Sequence, residues 1–281
     1  MTQLRPPEGI SEAIKIALAE DIGSGDVTAS LIAADTQATA RLITREFCVL
    51  CGTDWVNEVF TQLDPKIVVE WNYQDSDQCE PESLLCTITG NARNILSGER
   101  VALNFLQTLS ATATTTLAYA EELADFKTQI LDTRKTIPGM RLAQKYAVQC
   151  GGGSNHRIGL YDQVLIKENH IVACGSIENA VKKARELHPS LKVEVETENL
   201  DEFKQGLAAG ADILMLDNYS IDDMHTAVKM CAGQAKIEVS GNVTINSLQQ
   251  IASTGVDYIS SGALTKNIYS IDLSMRFDLD Q

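Results

Sequence analysis

The chain has 281 residues, a mass of 30.6 kDa and 44% hydrophobic residues, enough to bury the core of one large domain or two modest ones. Its 23 Lys and Arg residues against 38 Asp and Glu give a formal net charge of -15, which disfavours a nucleic-acid-binding protein with a broad basic face. No apolar run approaches the roughly 20 residues that span a bilayer, and the first residues lack the apolar core of a signal peptide. We therefore expect a cytoplasmic protein with no membrane association and with reduced cysteines.

The first part of the chain has the pattern of a mixed domain of helices and strands. Residues 11–20 have the apolar spacing of an amphipathic helix. Short β-rich runs follow between residues 38 and 89, with a helical interruption at 54–63. Two helices are then predicted, at 96–109 and 112–126. Together these elements predict an α+β domain of about 100 residues.

Cys48 and Cys51 form a C-x2-C pair within this region, but no second pair lies at zinc-finger spacing. Their neighbours are apolar and typical of a strand or a core. Structural burial is the favoured interpretation, and a metal or redox role is the alternative.

After residue 128 the pattern becomes an alternation of strands and helices. Strands are predicted at 129–132, 163–166, 192–196, 212–216, 236–239 and 256–260. Helices are predicted between them at 139–149, 176–187, 200–209, 221–230 and 245–253. Strands separated by helices pair in parallel, so this region is an open doubly wound sheet or a barrel.

The residues that follow the predicted strands favour a barrel. Groups able to bind or react follow every strand: Arg134 and Lys135, Lys167, Glu196, Asp217, Ser240 and Gly241, and Ser260 to Gly262. An open sheet collects its ligands at one switch point, whereas a barrel collects them around a whole rim. Since only six strands are visible, we expect an incomplete barrel.

Positive charge is concentrated between residues 131 and 170, around the glycines at 151–153. The cationic side chains are Arg134, Lys135, Arg141, Lys145, His156, Arg157 and Lys167. Glycines let backbone N–H groups approach an anion, and Arg guanidinium groups match carboxylate and phosphate oxygens in pairs. In so acidic a chain this cluster predicts a pocket for a small, highly charged anion.

The later strand ends predict a second half of the same site. Glu196 and Asp217 could hold Mg²⁺ or hydroxyl groups, with ion pairing and helix capping as their structural alternatives. The turns S-G-N at 240–242 and S-S-G at 260–262 occupy the position where barrels often bind phosphate through backbone N–H groups. A phosphorylated sugar and an anionic second substrate would suit this arrangement.

Several longer motifs resemble one family, the quinolinate phosphoribosyltransferases. They are D-T-R-K-T-x-P-G-x-R, G-G-G-x-N-H-R-x-G-L-Y-D, K-E-N-H-I, V-E-V-E-T, L-D-N and S-G-N. The resemblance covers nearly the whole chain, including G-D-V-T near the start and G-E-R-V-A-L-N-F-L-Q-T-L-S at 98–110. Ala111 departs from the pattern, where a glycine is expected, and this difference concerns helix packing.

The resemblance implies an N-terminal α/β sandwich domain over residues 1–110 and a C-terminal open (incomplete) α/β barrel over 111–270. A segment at 271–281 is expected to return to the first domain. It also implies a homodimer or higher homo-oligomer that transfers phosphoribose from phosphoribosyl pyrophosphate to quinolinate. The products are nicotinate mononucleotide, pyrophosphate and CO2, in NAD biosynthesis.

The resemblance also assigns roles to residues. The two quinolinate carboxylates would be held by Arg134, Lys135, His156, Arg157 and Lys167. The 5′-phosphate would lie against the two turns that contain Ser240, Gly241, Asn242, Ser261 and Gly262. Catalytic roles fall to Lys135, as a cation near the carboxylate that is lost, and to Glu196 and Asp217, which would meet the ribose hydroxyls or Mg²⁺, directly or indirectly. Arg100 would reach the site of a neighbouring subunit.

Three other functions remain open at this point. A Schiff-base aldolase would use Lys167 as its nucleophile. That function would not explain why so many arginine and histidine residues are concentrated in the same part of the chain. A related phosphoribosyltransferase acting on nicotinate would need to bind only one carboxylate. A non-catalytic anion sensor would not need Glu196 and Asp217.

Overall fold

The computed structural model describes residues 4–279. The chain divides into two compact units, and the first contains the described residues of 1–117, 142–152 and 268–281. The second contains residues 118–141 and 153–267. The domain boundaries expected from the sequence, at 110 and 270, stay predictions.

Helices and strands follow one another along the described chain. The strands are β1 (Gln37–Thr44), β2 (Cys48–Val49), β3 (Val68–Trp71), β4 (Gln78–Cys79), β5 (Leu84–Asn91), β6 (Gln129–Leu131), β7 (Val164–Ile166), β8 (Val193–Thr197), β9 (Ile213–Asp217), β10 (Lys236–Ser240), β11 (Tyr258–Ser260) and β12 (Leu273–Leu279). The helices are α1 (Ile10–Ile22), α2 (Thr53–Leu63), α3 (Ala92–Glu121), α4 (Arg141–Cys150), α5 (Glu168–Cys174), α6 (Ile177–Leu187), α7 (Leu200–Ala208), α8 (Ile221–Cys231), α9 (Leu248–Ala252) and α10 (Ala263–Lys266). Short 3-10 turns lie at Ala29–Leu31 and Ile245–Ser247.

The first unit contains an antiparallel sheet with the strand order β12-β1-β5-β3. In β1, Ala38, Ala40 and Leu42 are buried and alternate with more exposed residues, so one face of the strand packs into a core. The last strand of the chain pairs with β1, with Arg41 opposite Arg276.

Helix α3 differs from the prediction of two helices at 96–109 and 112–126. It is one helix of 30 residues that continues through the Ser- and Thr-rich stretch around residue 112. The hydroxyls of Thr112, Thr114 and Thr116 each donate to the carbonyl four residues earlier, at 3.2, 2.6 and 2.8 Å. These side chains are satisfied inside the helix, so residues that favour turns elsewhere do not end it here.

The second unit contains a six-stranded parallel sheet with the order β6-β11-β10-β9-β8-β7. Strands β6 and β7 are its two ends, and the predicted incomplete barrel is confirmed. Helices α6, α7 and α8 are each preceded by an N-cap residue whose side chain accepts backbone N–H groups of the first turn, namely Ser176, Asn199 and Ser220. Because the strands are parallel, the residues after all six strands lie at one edge of the sheet.

The sequence did not predict the short helices α5 and α10, which have too few residues to show a periodic pattern. Each begins two or three residues after the carboxyl end of a strand, α5 after β7 and α10 after β11. Among residues 4–279, no helix is long and apolar enough to cross a bilayer.

A close backbone approach in the first unit predicts that Gly151→Ala destabilises the fold. A methyl group there would lie 2.2 Å from the carbonyl oxygen of Ala113 and 2.7 Å from Cβ of Thr116. We expect a loss of about 1–3 kcal/mol in the free energy of unfolding, measured by chemical denaturation. Gly159→Ala is the control, since its methyl group would meet only the ring of the exposed Tyr161, which can move away. Equal stability of the two variants would contradict this packing.

Candidate active site

A cavity of about 190 Å³ lies at the carboxyl ends of the parallel strands. It is lined by residues that the sequence analysis selected, namely Arg134, Lys135, His156, Arg157, Lys167, Glu196 and Ser240. Ser260, from the predicted turn at 260–262, also lines it, together with residues that the analysis did not select, namely Thr133, Leu165, Met215 and Glu238. Side chains from separate segments of the chain therefore meet at one rim.

Two guanidinium groups give the cavity its positive charge. Burial lowers the pKa of Arg157, and the positive charge of Arg134 lowers it further. The Nε atom of Arg134 is buried and has no hydrogen-bond partner among the described residues. Two cations that repel each other, one of them with an unused donor, form a site that an anion would stabilise.

The loop that carries Arg157 is fixed to the sheet by one carboxylate. Asp132, directly after β6, accepts the backbone N–H of His156 at 2.9 Å and the side-chain amide of Asn155 at 2.6 Å. Asp162 accepts the N–H groups of residues 158 and 159, at 2.7 and 2.9 Å. The loop after the three glycines is therefore anchored on both sides of Arg157.

Lys167 follows β7 and forms an ion pair with Glu196 near the end of β8. The backbone N–H of Lys167 donates to Nδ1 of His170 at 3.0 Å, so His170 supports the start of α5.

Asp217 is the last residue of β9 and lies within electrostatic reach of this pair. Burial raises the pKa of Asp217, the charge of Glu196 raises it further, and Lys167 and Lys135 oppose these effects. The side-chain amide of Asn218 donates to Asp217 at 3.1 Å. Asp217 therefore lies within electrostatic reach of Glu196 and both lysines, although it does not itself line the cavity.

The turn at 240–242 is tied to the residue after Asp217. Gly241 has φ +92°, and a methyl group there would lie 2.3 Å from Oδ1 of Asn218. Asn242 donates its side-chain amide to the same oxygen at 3.0 Å. Only glycine fits this turn at its present distance from Asn218 and Asp217.

The three residues of the turn at 260–262 have different surroundings. Ser260 lines the cavity, whereas Ser261 is buried and its hydroxyl accepts the backbone N–H of Ala263 at 3.3 Å. At Gly262, a methyl group would lie 2.8 Å from Cδ of Lys135, so the glycine makes room for that side chain. Arg141 and Lys145, which the sequence analysis placed in the same cationic cluster, do not line this cavity. Arg100 belongs to the first unit and is exposed on α3.

Two buried glutamates lie beneath the cationic rim. His156 accepts the N–H of Arg157 at Nδ1, at 2.7 Å, and its Nε2 lies 3.1 Å from Glu194 and 3.5 Å from Glu238. Side-chain atom Oε1 of each glutamate is buried and has no hydrogen-bond partner within residues 4–279. The sequence analysis selected neither glutamate. The available signal was a glutamate inside an apolar parallel strand, in V-E-V and I-E-V, where continuous hydrophobic residues are usual.

The cysteines form no disulfide, and Cys48 and Cys51 are both buried. Cys48 lies opposite Cys79 in the pairing of β2 with β4. Cys51 lies near Cys150 and Asp75, but Asp75 already accepts the N–H groups of residues 52 and 53 and the hydroxyl of Tyr146. These surroundings agree with a structural role for the buried Cys48 and Cys51.

Comparisons with known proteins agree with the geometry. The family models described as the N-terminal and C-terminal domains of quinolinate phosphoribosyl transferase match residues 26–110 and 112–276. The chain belongs to the quinolinate phosphoribosyltransferase family. The predictions of family, fold class and enzyme class are confirmed.

Relatives of this quinolinate phosphoribosyltransferase match over nearly their full length. A probable nicotinate-nucleotide pyrophosphorylase [carboxylating] of Synechocystis is 42% identical over 98% of this chain and 95% of its own. The protein of the same name from Bacillus subtilis is 41% identical over 91% and 89%. The structure of the nicotinate-nucleotide pyrophosphorylase from Francisella tularensis has a TM-score of 0.95 and 51% identity, with 98% of each chain covered.

The raised pKa of Asp217 predicts that Asp217→Asn stabilises the ligand-free protein at neutral pH. A folded-state pKa above the ordinary 3.8 favours folding only while the carboxyl is protonated, and this contribution is lost as the pH rises through the folded pKa. The neutral amide avoids that loss, so we expect a higher free energy of unfolding than in the wild type at pH 7. Chemical denaturation should show the gain shrinking as the pH is lowered toward 3.8. A gain that grows on acidification would refute the assignment.

Proposed function

We propose that the cavity at the carboxyl ends of the parallel strands is where this enzyme binds quinolinate and phosphoribosyl pyrophosphate. The enzyme transfers the phosphoribosyl group to quinolinate and releases pyrophosphate and CO2, giving nicotinate mononucleotide. The observation that carries this assignment is the pair of mutually repelling guanidinium groups, one with a buried and unpartnered N–H, in a cavity that Glu196 also lines.

The cationic side of the cavity suits the two carboxylates of quinolinate. Arg134 and Arg157 can each form paired hydrogen bonds with a carboxylate, and Lys167 adds a point charge. Binding the dianion would relieve the repulsion between the two arginines. In this proposal Lys135 and His156 complete the wall of the pocket, where both line the cavity.

The acidic side suits the activated sugar. Glu196 and Asp217 would accept hydrogen bonds from the ribose hydroxyls, and the turns at 240–242 and 260–262 would hold the 5′-phosphate. The close packing of Gly241 on Asn218 and of Gly262 on Lys135 supports this, because it brings the backbone of both turns to the rim. Asn242 and Ser261 would act by shaping these turns.

Mg²⁺ is the proposed cofactor, carried with the pyrophosphate. Mg²⁺ typically binds through one or two carboxylates, substrate phosphates and water, and the pair Glu196 and Asp217 fits this donor set. When bound, the ion would neutralise charge on the leaving pyrophosphate. The repulsion that raises the pKa of Asp217 also favours a cation near both acids.

The chemistry follows from the two sides of the cavity. Breaking the bond from ribose to pyrophosphate builds positive charge on the sugar, which Glu196 and Asp217 would stabilise. Attack by the ring nitrogen makes the pyridine cationic, and the cationic ring then stabilises the electron pair that remains when CO2 leaves. Lys135 would provide a positive charge near the departing carboxylate, and orientation of the two substrates can supply roughly 7–11 kcal/mol.

The alternatives have weaker support. A Schiff-base aldolase needs Lys167 as an uncharged nucleophile, whereas Lys167 forms an ion pair with Glu196. A substrate with a single carboxylate would leave part of the cationic cluster unmatched.

We also propose that the enzyme is a cytoplasmic homodimer or higher homo-oligomer in which Arg100 is supplied to a neighbouring subunit's site. The exposed position of Arg100 on α3 leaves its charge available to such a partner. The division into domains at 110 and 270, with a returning C-terminal segment, belongs to the same proposal, and the pairing of β12 with β1 supports it.

Substitution of the cationic wall should impair catalysis without unfolding the protein. With quinolinate, phosphoribosyl pyrophosphate and Mg²⁺, we expect Arg134→Ala and Lys167→Ala each to lower kcat/KM by about 10- to 100-fold or more, as a charged hydrogen bond is lost. Formation of nicotinate mononucleotide and release of CO2 are the measurements. Lys182→Ala, at an exposed position of α6, should keep wild-type kinetics. Wild-type kinetics in either test variant would remove that residue from the site.

The proposed role of Arg100 predicts complementation between inactive variants. Arg100→Ala and Asp217→Asn should each be nearly inactive alone. In mixed dimers, one subunit supplies Arg100 and the other supplies Asp217, so one of two sites is intact. Co-expression with different affinity tags should restore about a quarter of wild-type activity for randomly mixed dimers. No recovery in purified mixed oligomers would place Arg100 in its own subunit's site or outside any site.

A further inference from the structure

Glu238 is the one carboxylate among the described residues that both lines the substrate cavity and is almost completely buried. It lies in the middle of β10, with Met215 of β9 and Tyr258 of β11 as its register partners. Its exposed fraction is 1%, yet it borders the same cavity as Arg134 and Lys167. An ionised carboxylate at this position would repel an anionic substrate.

The surroundings of Glu238 favour its protonated form. Burial raises the pKa of Glu238 to about 8, and the neighbouring charge of Glu194 acts in the same direction. Asp132 also raises it, whereas His156 and the hydroxyl of Ser260 lower it. From the adjacent strand β9, the facing residue is the uncharged Met215. At neutral pH Glu238 is therefore mainly a carboxylic acid.

His156 does not compete for this role. Its Nδ1 accepts the N–H of Arg157, so the ring proton is on Nε2 and points toward the two glutamates. The same assignment disfavours a metal ion between His156, Glu194 and Glu238, although their ligand atoms lie within 4.8 Å of one another, because Nε2 is not a free ligand. The geometry of His156, Glu194 and Glu238 therefore accommodates a shared proton rather than a metal ion.

The reaction under "Proposed function", on which this inference rests, consumes one proton at carbon. When CO2 leaves, the electron pair of the broken carbon–carbon bond stays on the ring carbon beside the cationic nitrogen. The product carries hydrogen at that position, so a donor must deliver a proton in each turnover.

We propose that Glu238 is the proton donor to the ring carbon after decarboxylation. The O–H bond of the Glu238 carboxyl breaks, its proton forms a new C–H bond with the electron pair on the ring, and Glu238 remains as a carboxylate. No oxidant or reductant is involved. Glu238 must then regain a proton from solvent before the next turnover.

A second cavity provides a way for that proton to return. It lies at the amino ends of the strands and is lined by residues that include Gln129, Gln163, Lys192 and Tyr258. Glu238 and His156 border both cavities. Protonation from the amino-end cavity would not require the substrate side to open.

Glu238→Gln tests the proposal, because the amide keeps the shape of the acid but has no acidic proton. In single-turnover reactions with quinolinate, phosphoribosyl pyrophosphate and Mg²⁺, we expect nicotinate mononucleotide to form about 10²- to 10⁴-fold more slowly. The KM for quinolinate should change little, since Glu238 does not hold the substrate. Glu178→Gln, an exposed glutamate in the first turn of α6, is the matched control and should behave as wild type.

Two further measurements keep the test decisive if Glu238→Gln is poorly folded or if another step limits the rate. The wild-type single-turnover rate should fall as the pH rises through about 8, the pKa of Glu238, because the protonated acid is the active form. In equal volumes of H2O and D2O, the deuterium content at the new C–H bond should differ between wild type and Glu238→Gln, since a different donor then supplies the proton.

The outcomes separate this inference from the function on which it rests. A wild-type enzyme that makes no nicotinate mononucleotide would refute the proposed function itself. An active wild-type enzyme would refute only the donor assignment if a folded Glu238→Gln matched it in rate and in deuterium content. If that variant does not fold, absence of a rate decrease near pH 8 in the wild type would overturn the assignment.

Discussion

The arrangement of this site depends on holding two guanidinium groups close together at one edge of a parallel sheet. Arg134 and Arg157 repel each other, and both side chains are partly buried, which weakens the screening of this repulsion by water. The free protein tolerates the repulsion because Asp132 and Asp162 fix the loop around Arg157 through backbone N–H groups. The loop therefore has its binding conformation before any substrate binds. An anion bound at the two arginines gains affinity because it relieves the repulsion between their charges.

The acids around the cavity fall into two groups with different environments. Glu196 is paired with Lys167 and partly exposed, and Asp217 lies at the rim beside it, so both can meet a sugar or a cation. Glu194 and Glu238 are fully buried beneath the rim. The position of an acid along its strand determines which environment it has. An acid at the carboxyl end of a strand reaches solvent, whereas an acid further into the strand is buried in the interior. One strand, β8, carries a member of each group two residues apart.

The sequence was sufficient for the alternation of strands and helices, since parallel strands between amphipathic helices have a clear period. It also predicted which rim residues meet, because parallel strands bring all their carboxyl ends to one edge. The sequence was less informative about residues whose neighbours in the folded protein come from distant segments of the chain. Ser260 and Ser261 are adjacent and chemically equal in the sequence, yet only Ser260 lines the cavity. The continuation of α3 through Thr112 likewise depends on hydroxyls that bond within the helix rather than ending it.

Glu238 shows why a buried acid in such a strand calls for a chemical explanation. The position is in the middle of a parallel strand between Ile237 and Val239, where an apolar residue would pack without desolvating a carboxyl group. Its Oε1 has no hydrogen-bond partner within residues 4–279, so the cost of burial is not offset there by structure. Protonation reduces the cost, but a neutral acid with an unused oxygen is still less stable than a hydrophobic side chain of similar size. A residue that stabilises the fold would be expected to complete its hydrogen bonds. A residue that must release and regain a proton at every turnover is better served by a pKa near the working pH, because neither release nor uptake of the proton is then strongly disfavoured.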